Sequence, residues 1–210
     1  MAEKSTVDRD WASFYRATAG RPPRPTLLRA LESRPSAPGR RALDLGCGTG
    51  RDALPLLAAG WHVTAIDAEA QALEVLEEST PRAWRPRLTT RMARLETTIL
   101  PVADLVNASF SLFFAERPVV VAGLLRRIRA ALAPGGRFAG QLLGPRDSWV
   151  ASGRAVGCDR TELDHLLRGF ALERLVMEED DSVTPMGEPK HWHIWHINAR
   201  KLLKDPSRRS

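Results

Sequence analysis

The chain has 210 residues, 43% of them hydrophobic, and its 31 Lys and Arg against 25 Asp and Glu give a formal charge of +6. That is the size of one domain with a sizeable core. No apolar run approaches the roughly 20 residues of a membrane span, and the N-terminus lacks a secretory apolar stretch. The two cysteines, Cys47 and Cys158, form neither a disulfide framework nor a metal-ligand spacing. A cytoplasmic chain with no metal and no membrane partner is expected. A basic balance can mark nucleic-acid binding, but the arginines are dispersed and no basic segment is interleaved with aromatics. Nucleic acid therefore ranks below a small acceptor, anionic ones included.

From the N-terminus, Trp11, Phe14, Tyr15 and Thr18 fall three or four apart, the spacing of one helical face. A proline-rich link, Gly20 to Pro25, leads to a second helix over 26–32. An apolar run over 41–45 then reads as a strand. Gly46, Gly48 and Gly50 alternate directly after it, and 52–60 is a helix that tolerates Pro55 in its first turn and stops at Gly60. Strand, tight turn and helix in that order let a ligand lie against backbone N–H groups at a helix N-terminus. A dinucleotide would need a small residue at position 51, which is Arg51. Asp44, two residues before Gly46, would repel a pyrophosphate and attract an ammonium group. The next strand, 61–67, ends in Asp67, about 20 residues beyond the glycines, where a βαβ unit delivers a carboxylate to a ribose diol. The ligand these residues point to has a ribose and an amine.

Farther on, the pattern predicts a helix over 70–78, a loop over 79–87, and strands over 88–93 and 103–109. A long helix over 118–132 follows, with Arg126, Arg127 and Arg129 on its solvated side. The fifth strand, 136–143, runs into a loop, Gly144 to Trp149. After a helix near 161–167 come strands over 170–177 and 192–198, joined by an acidic connector containing Gly and Pro. Ligands of open α/β sheets gather beyond the carboxyl ends of the strands where the strand order reverses, which nominates Asn107, Ala108, Ser109 and Phe110. In the loop after the fifth strand, Arg146 suits an anion, Asp147 a proton or an amine, and Trp149 a stacking partner. Within 190–196 a strand places His191 and His193 on one side with Trp195, and Trp192 and His196 on the other. Three such histidines cannot meet at one metal without bending the strand.

The run Leu43 to Gly50 resembles the first motif of class I S-adenosylmethionine-dependent methyltransferases, and Ile66-Asp67 their second. Asp104 to Phe110 and Leu132 to Phe138 agree in order and spacing, so the resemblance covers about residues 40–145. Gly50-Arg51-Asp52 and the short chain are most similar to the tellurite-resistance-type branch of small-molecule enzymes. The resemblance implies an α/β, Rossmann-like sheet of seven mostly parallel strands, one antiparallel, with helices on both faces. It further implies a helical lid over 1–36, a cofactor-binding domain over 37–202 and a basic tail over 203–210.

On this resemblance, Asp44, Gly46, Cys47, Gly48, Gly50, Asp67 and Ala68 would hold S-adenosyl-L-methionine. Leu95 and Glu96 would lie near the adenine, where Arg94 replaces the usual acid, and Asn107 and Ala108 near the sulfonium. Tyr15 and Arg21 or Arg24 of the lid, with Ser109, Phe110, Arg146, Trp149 and Trp192, would meet the acceptor. An antiparallel last strand brings Lys190 to His193 to the same end of the sheet, which makes His193, His191 and Asp147 the candidate catalytic groups. The implied reaction is in-line displacement of the methyl group by an oxygen, nitrogen, sulfur or chalcogen nucleophile of a small molecule. The alternatives are a non-catalytic cofactor-binding or regulatory module and a nucleic-acid methyltransferase. Against the amino-methylating nucleic-acid enzymes, Asn107-Ala-Ser-Phe110 lacks their two prolines.

Overall fold

The computed structural model describes residues 10–33 and 39–203. Residues 1–9 and 34–36 of the expected lid, and the basic tail beyond 203, lie outside the described residues. Seven strands form one sheet: β1 (Arg41–Leu45), β2 (His62–Asp67), β3 (Leu88–Met92), β4 (Ala103–Ala108), β5 (Leu132–Leu143), β6 (Phe170–Val183) and β7 (Pro189–Lys201). Their order is β3-β2-β1-β4-β5-β7-β6. The first five are parallel, and β7 is antiparallel to both its neighbours. The order reverses between β1 and β4, where a crevice opens beyond their carboxyl ends.

Helices α1 (Trp11–Thr18), α2 (Pro25–Ser33), α3 (Ala53–Ala58), α4 (Ala70–Ser79), α5 (Pro118–Ala131), α6 (Ser148–Ala151) and α7 (Arg160–Leu166) complete the fold. Strand alternation divides the core into two layers. Leu43, Leu45, Val106 and Phe138 pack with Leu124 and Ile128 of α5 and Leu163 of α7. Ala42, Val63, Leu105 and Ala139 face the other way, against Leu27 of α2, Leu56 and Leu57 of α3, and Leu76 of α4. Each fully buried leucine contributes about 1.5–3 kcal/mol of transfer free energy, so both layers hold the sheet. Pro118 opens α5, where its missing N–H costs nothing. Asp159 and Glu162 close a reciprocal capping box at the start of α7.

Three segments differ from the sequence expectation. The acidic connector is not a loop: Glu178 to Val183 pair residue by residue with Pro189 to Ile194, so β6 and β7 make one long hairpin. Its turn closes through the Thr184 N–H to Glu188 carbonyl bond, 2.8 Å. Cross-strand partners compensate the acidic run, with His191 beside Asp181 and the His196 ring within hydrogen-bonding distance of Glu178. β5 begins at Leu132 rather than Gly136, and the loop after it ends in the four-residue α6, capped by Asp147.

Candidate active site

The turn after β1 is held from beneath. The N–H groups of Gly46 and Cys47 both donate to the Ile66 carbonyl, at 2.8 and 3.1 Å. Gly46 has φ 71° and Gly48 φ 52°. A Cβ on Gly46 would meet Ser111 Cβ at 2.5 Å, and one on Gly48 the Tyr15 ring at 3.0 Å. Neither position admits a side chain. The Gly48 N–H donates to Asp67 Oδ2 at 2.8 Å and the Glu69 N–H to Asp67 Oδ1 at 3.0 Å. The Asp67 carboxylate is thereby fixed between the glycine turn and the start of α4. Tyr15 of α1 reaches the same carboxylate, its hydroxyl donating to Oδ1 at 3.4 Å.

Beside the turn lies a buried carboxylate cluster. Register places Asp44 of β1 opposite Asn107 of β4. The Asn107 amide donates to Asp44 Oδ1 at 2.8 Å and to Asp52 Oδ2 at 3.1 Å. Asp52 Oδ1 accepts from the Arg24 N–H at 3.0 Å. Asp44 Oδ2 is buried and has no hydrogen-bond partner among the described residues. Burial, and then the neighbouring Asp52, push the Asp44 carboxyl above the ordinary carboxylate range. The Arg24 guanidinium lies 4.0 Å from the centre of the Phe110 ring, and burial pulls it down to about 10. Phe110 has φ 54°, the left-handed region. It is clamped there by its N–H bond to Gln141 Oε1 at 3.1 Å, and the Gln141 amide donates in turn to Thr26 Oγ1 at 2.6 Å.

These groups border a cavity of about 1200 Å³ at the switch point. Its walls include Tyr15, Asp44, Gly46, Cys47, Gly48, Asp67, Ala68, Leu95, Glu96, Ser109 and Phe110, all expected from the sequence. Arg24 lines it, whereas Arg21 is exposed and does not. Gly50, Asn107 and Ala108 stand behind the wall, Asn107 acting through Asp44. The carbonyls of Leu95 and Glu96 are held by Arg127 at 2.9 and 2.8 Å. Arg127 is thus not a solvated surface group, as its helical position had indicated. Asp52, Glu69 and Ser111 also line the cavity and were not anticipated. For Asp52 a signal existed: an acid two residues past the last glycine, at the N-cap of α3.

Residues 42–136 match the family model of a methyltransferase domain. Over those residues, a little under half of its length, the chain is similar to a methyltransferase domain. Cypemycin N-terminal methyltransferase, from a Streptomyces species, is 37% identical over 99 residues, 47% of this chain and 40% of that relative, so the match spans less than half the relative's length. TehB from Haemophilus influenzae superposes with a TM-score of 0.68 at 17% identity, over 83% of this chain and 61% of TehB. A SAM-dependent methyltransferase from Methanosarcina mazei gives 0.66 at 18% identity, over 83% and 98% of the two chains. At these identities the structural likeness is one of fold. S-adenosylmethionine is the cofactor of such domains, and this cleft fits it. Asp44 in its wall keeps a buried carboxylate oxygen without a partner among the described residues, and a glycine cradle that any Cβ would fill forms its floor.

The candidate catalytic groups lie elsewhere. Asp147, His191 and His193 do not line the cavity, nor do Arg146, Trp149 and Trp192. Asp147 is fully buried and its oxygens are engaged. Oδ1 accepts from the Trp149 N–H at 2.9 Å and from the Lys190 ammonium, and Oδ2 accepts from the His193 N–H at 3.2 Å. Lys190 Nζ sits 4.2 Å from the Trp149 ring centre and 4.3 Å from that of Trp192. His193 is buried against Gly144, and desolvation lowers its pKa, favouring the neutral ring. His191 pairs with Asp181 at 2.8 Å and Glu179 at 3.2 Å, which raise its pKa. Arg146 forms a bidentate pair with Glu179. The antiparallel β7 does bring these residues to the carboxyl end of β5, with Ile194 opposite Leu143. There they fasten the hairpin to the loop after β5. Trp192 approaches the site through ring contacts, with Phe110 at 6.2 Å between ring centres and, by way of Trp149, with Phe114.

Proposed function

We propose that this protein transfers the methyl group of S-adenosylmethionine to a small-molecule acceptor by in-line displacement, with alignment as the chain's main contribution. One observation carries the reading: Asp44 and the pinned carboxylate of Asp67 line the same cleft on either side of the glycine turn, and Asp44 keeps a buried oxygen without a partner among the described residues. An amine and a ribose diol are the groups of the cofactor that two such carboxylates suit. Asp44 would hold the ammonium group, Arg24 the carboxylate of the same amino-acid moiety, and Asp67 the ribose hydroxyls. Leu95 and Glu96, braced by Arg127, would border the adenine. When bound, S-adenosylmethionine supplies the electrophilic methyl carbon. Ser109 and Phe110, at the end of β4, would stand beside it. Helix α1 would act as the lid of a three-part organisation, 1–36, 37–202 and 203–210, with Tyr15 over Gly48 and the aromatic side chains of Trp11 and Phe14 along the cleft. Closure of that kind fixes the reacting geometry and excludes water. Asp147 and His193 would serve as positioning residues. The buried free thiols of Cys47 and Cys158 suit a reducing, cytoplasmic setting.

The test is calorimetry with S-adenosylhomocysteine, followed by product release against thiols, chalcogen oxyanions, phenols, carboxylates and amines. Terminal peptide amines belong in the panel because the cypemycin enzyme's name describes N-terminal methylation. Binding with turnover that survives His193→Ala is the expected result. Absence of cofactor binding would sink the reading, and turnover abolished by His193→Ala with cofactor affinity intact would restore a base.

A further inference from the structure

A second cavity, of about 620 Å³, lies between α5, α7 and the edge of β5. Its floor is apolar, formed by the buried Leu125, Leu142 and Phe170, and Val119 stands 62% exposed at its rim. Around that floor the charge is lopsided. Arg126, Arg129 and Arg168 border it, against the single acid Glu162. Glu162 is already engaged, its carboxylate accepting the Asp159 N–H at 2.9 Å. Arg126 and Arg168 are exposed, and Arg129 donates to the Arg168 carbonyl at 2.6 Å. An apolar trough with a cationic end is complementary to an amphiphilic anion.

The trough adjoins the methyl-transfer cleft. Ala115 and Glu116 line the cleft, while Pro118 and Val119, two residues on, line the trough. Val156 lines both, held on the dividing seam by its N–H bond to the Phe113 carbonyl at 2.8 Å. From Pro118 to Arg129 the axis of α5 runs about 16 Å, the reach of a long alkyl chain and well beyond that of a compact metabolite. We propose that the trough binds the apolar, anion-bearing tail of the acceptor, whose reactive end reaches the cleft across Val156. The acceptor is then an elongated amphiphile of the long-chain carboxylate kind, bound as a single molecule and not as a membrane surface. The acceptor role rests on the methyl-transfer reading above, whereas binding in the trough does not.

The probe is laurate, titrated below its micelle concentration into the full chain saturated with S-adenosylhomocysteine. One equivalent should bind, and Val119→Asp and Arg126→Glu should each weaken it tenfold or more while leaving S-adenosylhomocysteine affinity unchanged. Dodecyltrimethylammonium, of equal chain length and opposite charge, should bind at least tenfold more weakly. A diazirine-bearing laurate should photolabel segments 113–129 and 153–168. Equal affinity for the cation, indifference to both substitutions, labelling elsewhere, or binding to vesicles alone would overturn the proposal. If S-adenosylhomocysteine binds and laurate does not, the trough fails and methyl transfer stands. If laurate labels the trough of a chain that binds no S-adenosylhomocysteine, the acceptor role falls with the methyl-transfer reading.

Discussion

Asp44 and Asp147 are both buried carboxylates near the carboxyl ends of parallel strands, β1 and β5 with β4 between them, yet they are built for opposite purposes. Asp147 is saturated: backbone N–H groups from Trp149 and His193 and the Lys190 ammonium use both oxygens, and two indoles cover the cation. Asp44 receives one amide proton from Asn107, shares that amide with Asp52, and keeps its second oxygen unpartnered. A buried polar atom without a partner costs free energy, and proteins retain such costs where a ligand relieves them. Burial alone therefore does not identify a functional acid; the unused hydrogen-bonding capacity does.

The strongest way to break this contrast is to remove Lys190. Lys190→Met strands Asp147 in the interior and should cost about 3–5 kcal/mol of folding stability in urea denaturation, with S-adenosylhomocysteine affinity preserved in the folded protein. Adding Asp147→Asn, which keeps the cap on α6, should recover most of that loss. A parallel fall in cofactor affinity would show that the pair belongs to the site after all. Next in size, Asp44→Asn should weaken S-adenosylhomocysteine binding by about 3 kcal/mol, or roughly a hundredfold, without loss of thermal stability.

The same residue sharpens the contrast through pH. Folding raises the Asp44 pKa, so the folded chain keeps a proton that the unfolded chain releases. Stability supplied by this group is complete below the unfolded value and declines as pH rises through the folded one. Affinity for an ammonium-bearing ligand runs the other way. It should grow with pH above the ordinary carboxylate range and level off once Asp44 has ionised, at most about tenfold per pH unit. Calorimetry across that range should show the slope in wild type and its loss in Asp44→Asn. The smallest expected effect is that of Tyr15→Phe. Losing a 3.4 Å hydrogen bond to Asp67 should change cofactor affinity by no more than about 1 kcal/mol.

The cofactor end of the cleft was legible because it is written locally. Asp44, Gly46 and Gly48 fall within five residues, and parallel pairing of β1 with β2 brings Asp67 beside them by register alone. The sheet was readable for the same reason, from apolar runs alternating with helical spacing. What escaped is what packing decides across the chain. Arg24 meets Phe110, and Thr26 meets Gln141, over long sequence separations. Asp147 and His193 look like catalytic groups in one dimension, and only the fold shows the Asp147 oxygens committed to the Trp149 and His193 N–H groups and to Lys190, with the His193 ring buried and its Nδ1 accepting from the Arg146 N–H. The acidic stretch of β6 reads as a connector because its charges forbid a core, but cross-strand pairing with His191 and His196 supplies the reason it is extended.

Thr26 fastens two neighbouring strands, β5 and β7, to the second helix, its hydroxyl accepting from Gln141 at 2.6 Å and its carbonyl accepting from the Asn198 amide at 2.8 Å. Helix α1 has a lighter attachment, with aromatic contacts to Phe114 and the long Tyr15 to Asp67 bond, and Gly20, at φ 71°, stands between the two helices. The N-terminal segment is therefore a rivet joined to a latch. On the proposed lid reading, traffic into and out of the cleft would need to release only the latch, about two turns of helix, while Arg24 and Phe110 would stay registered against the sheet.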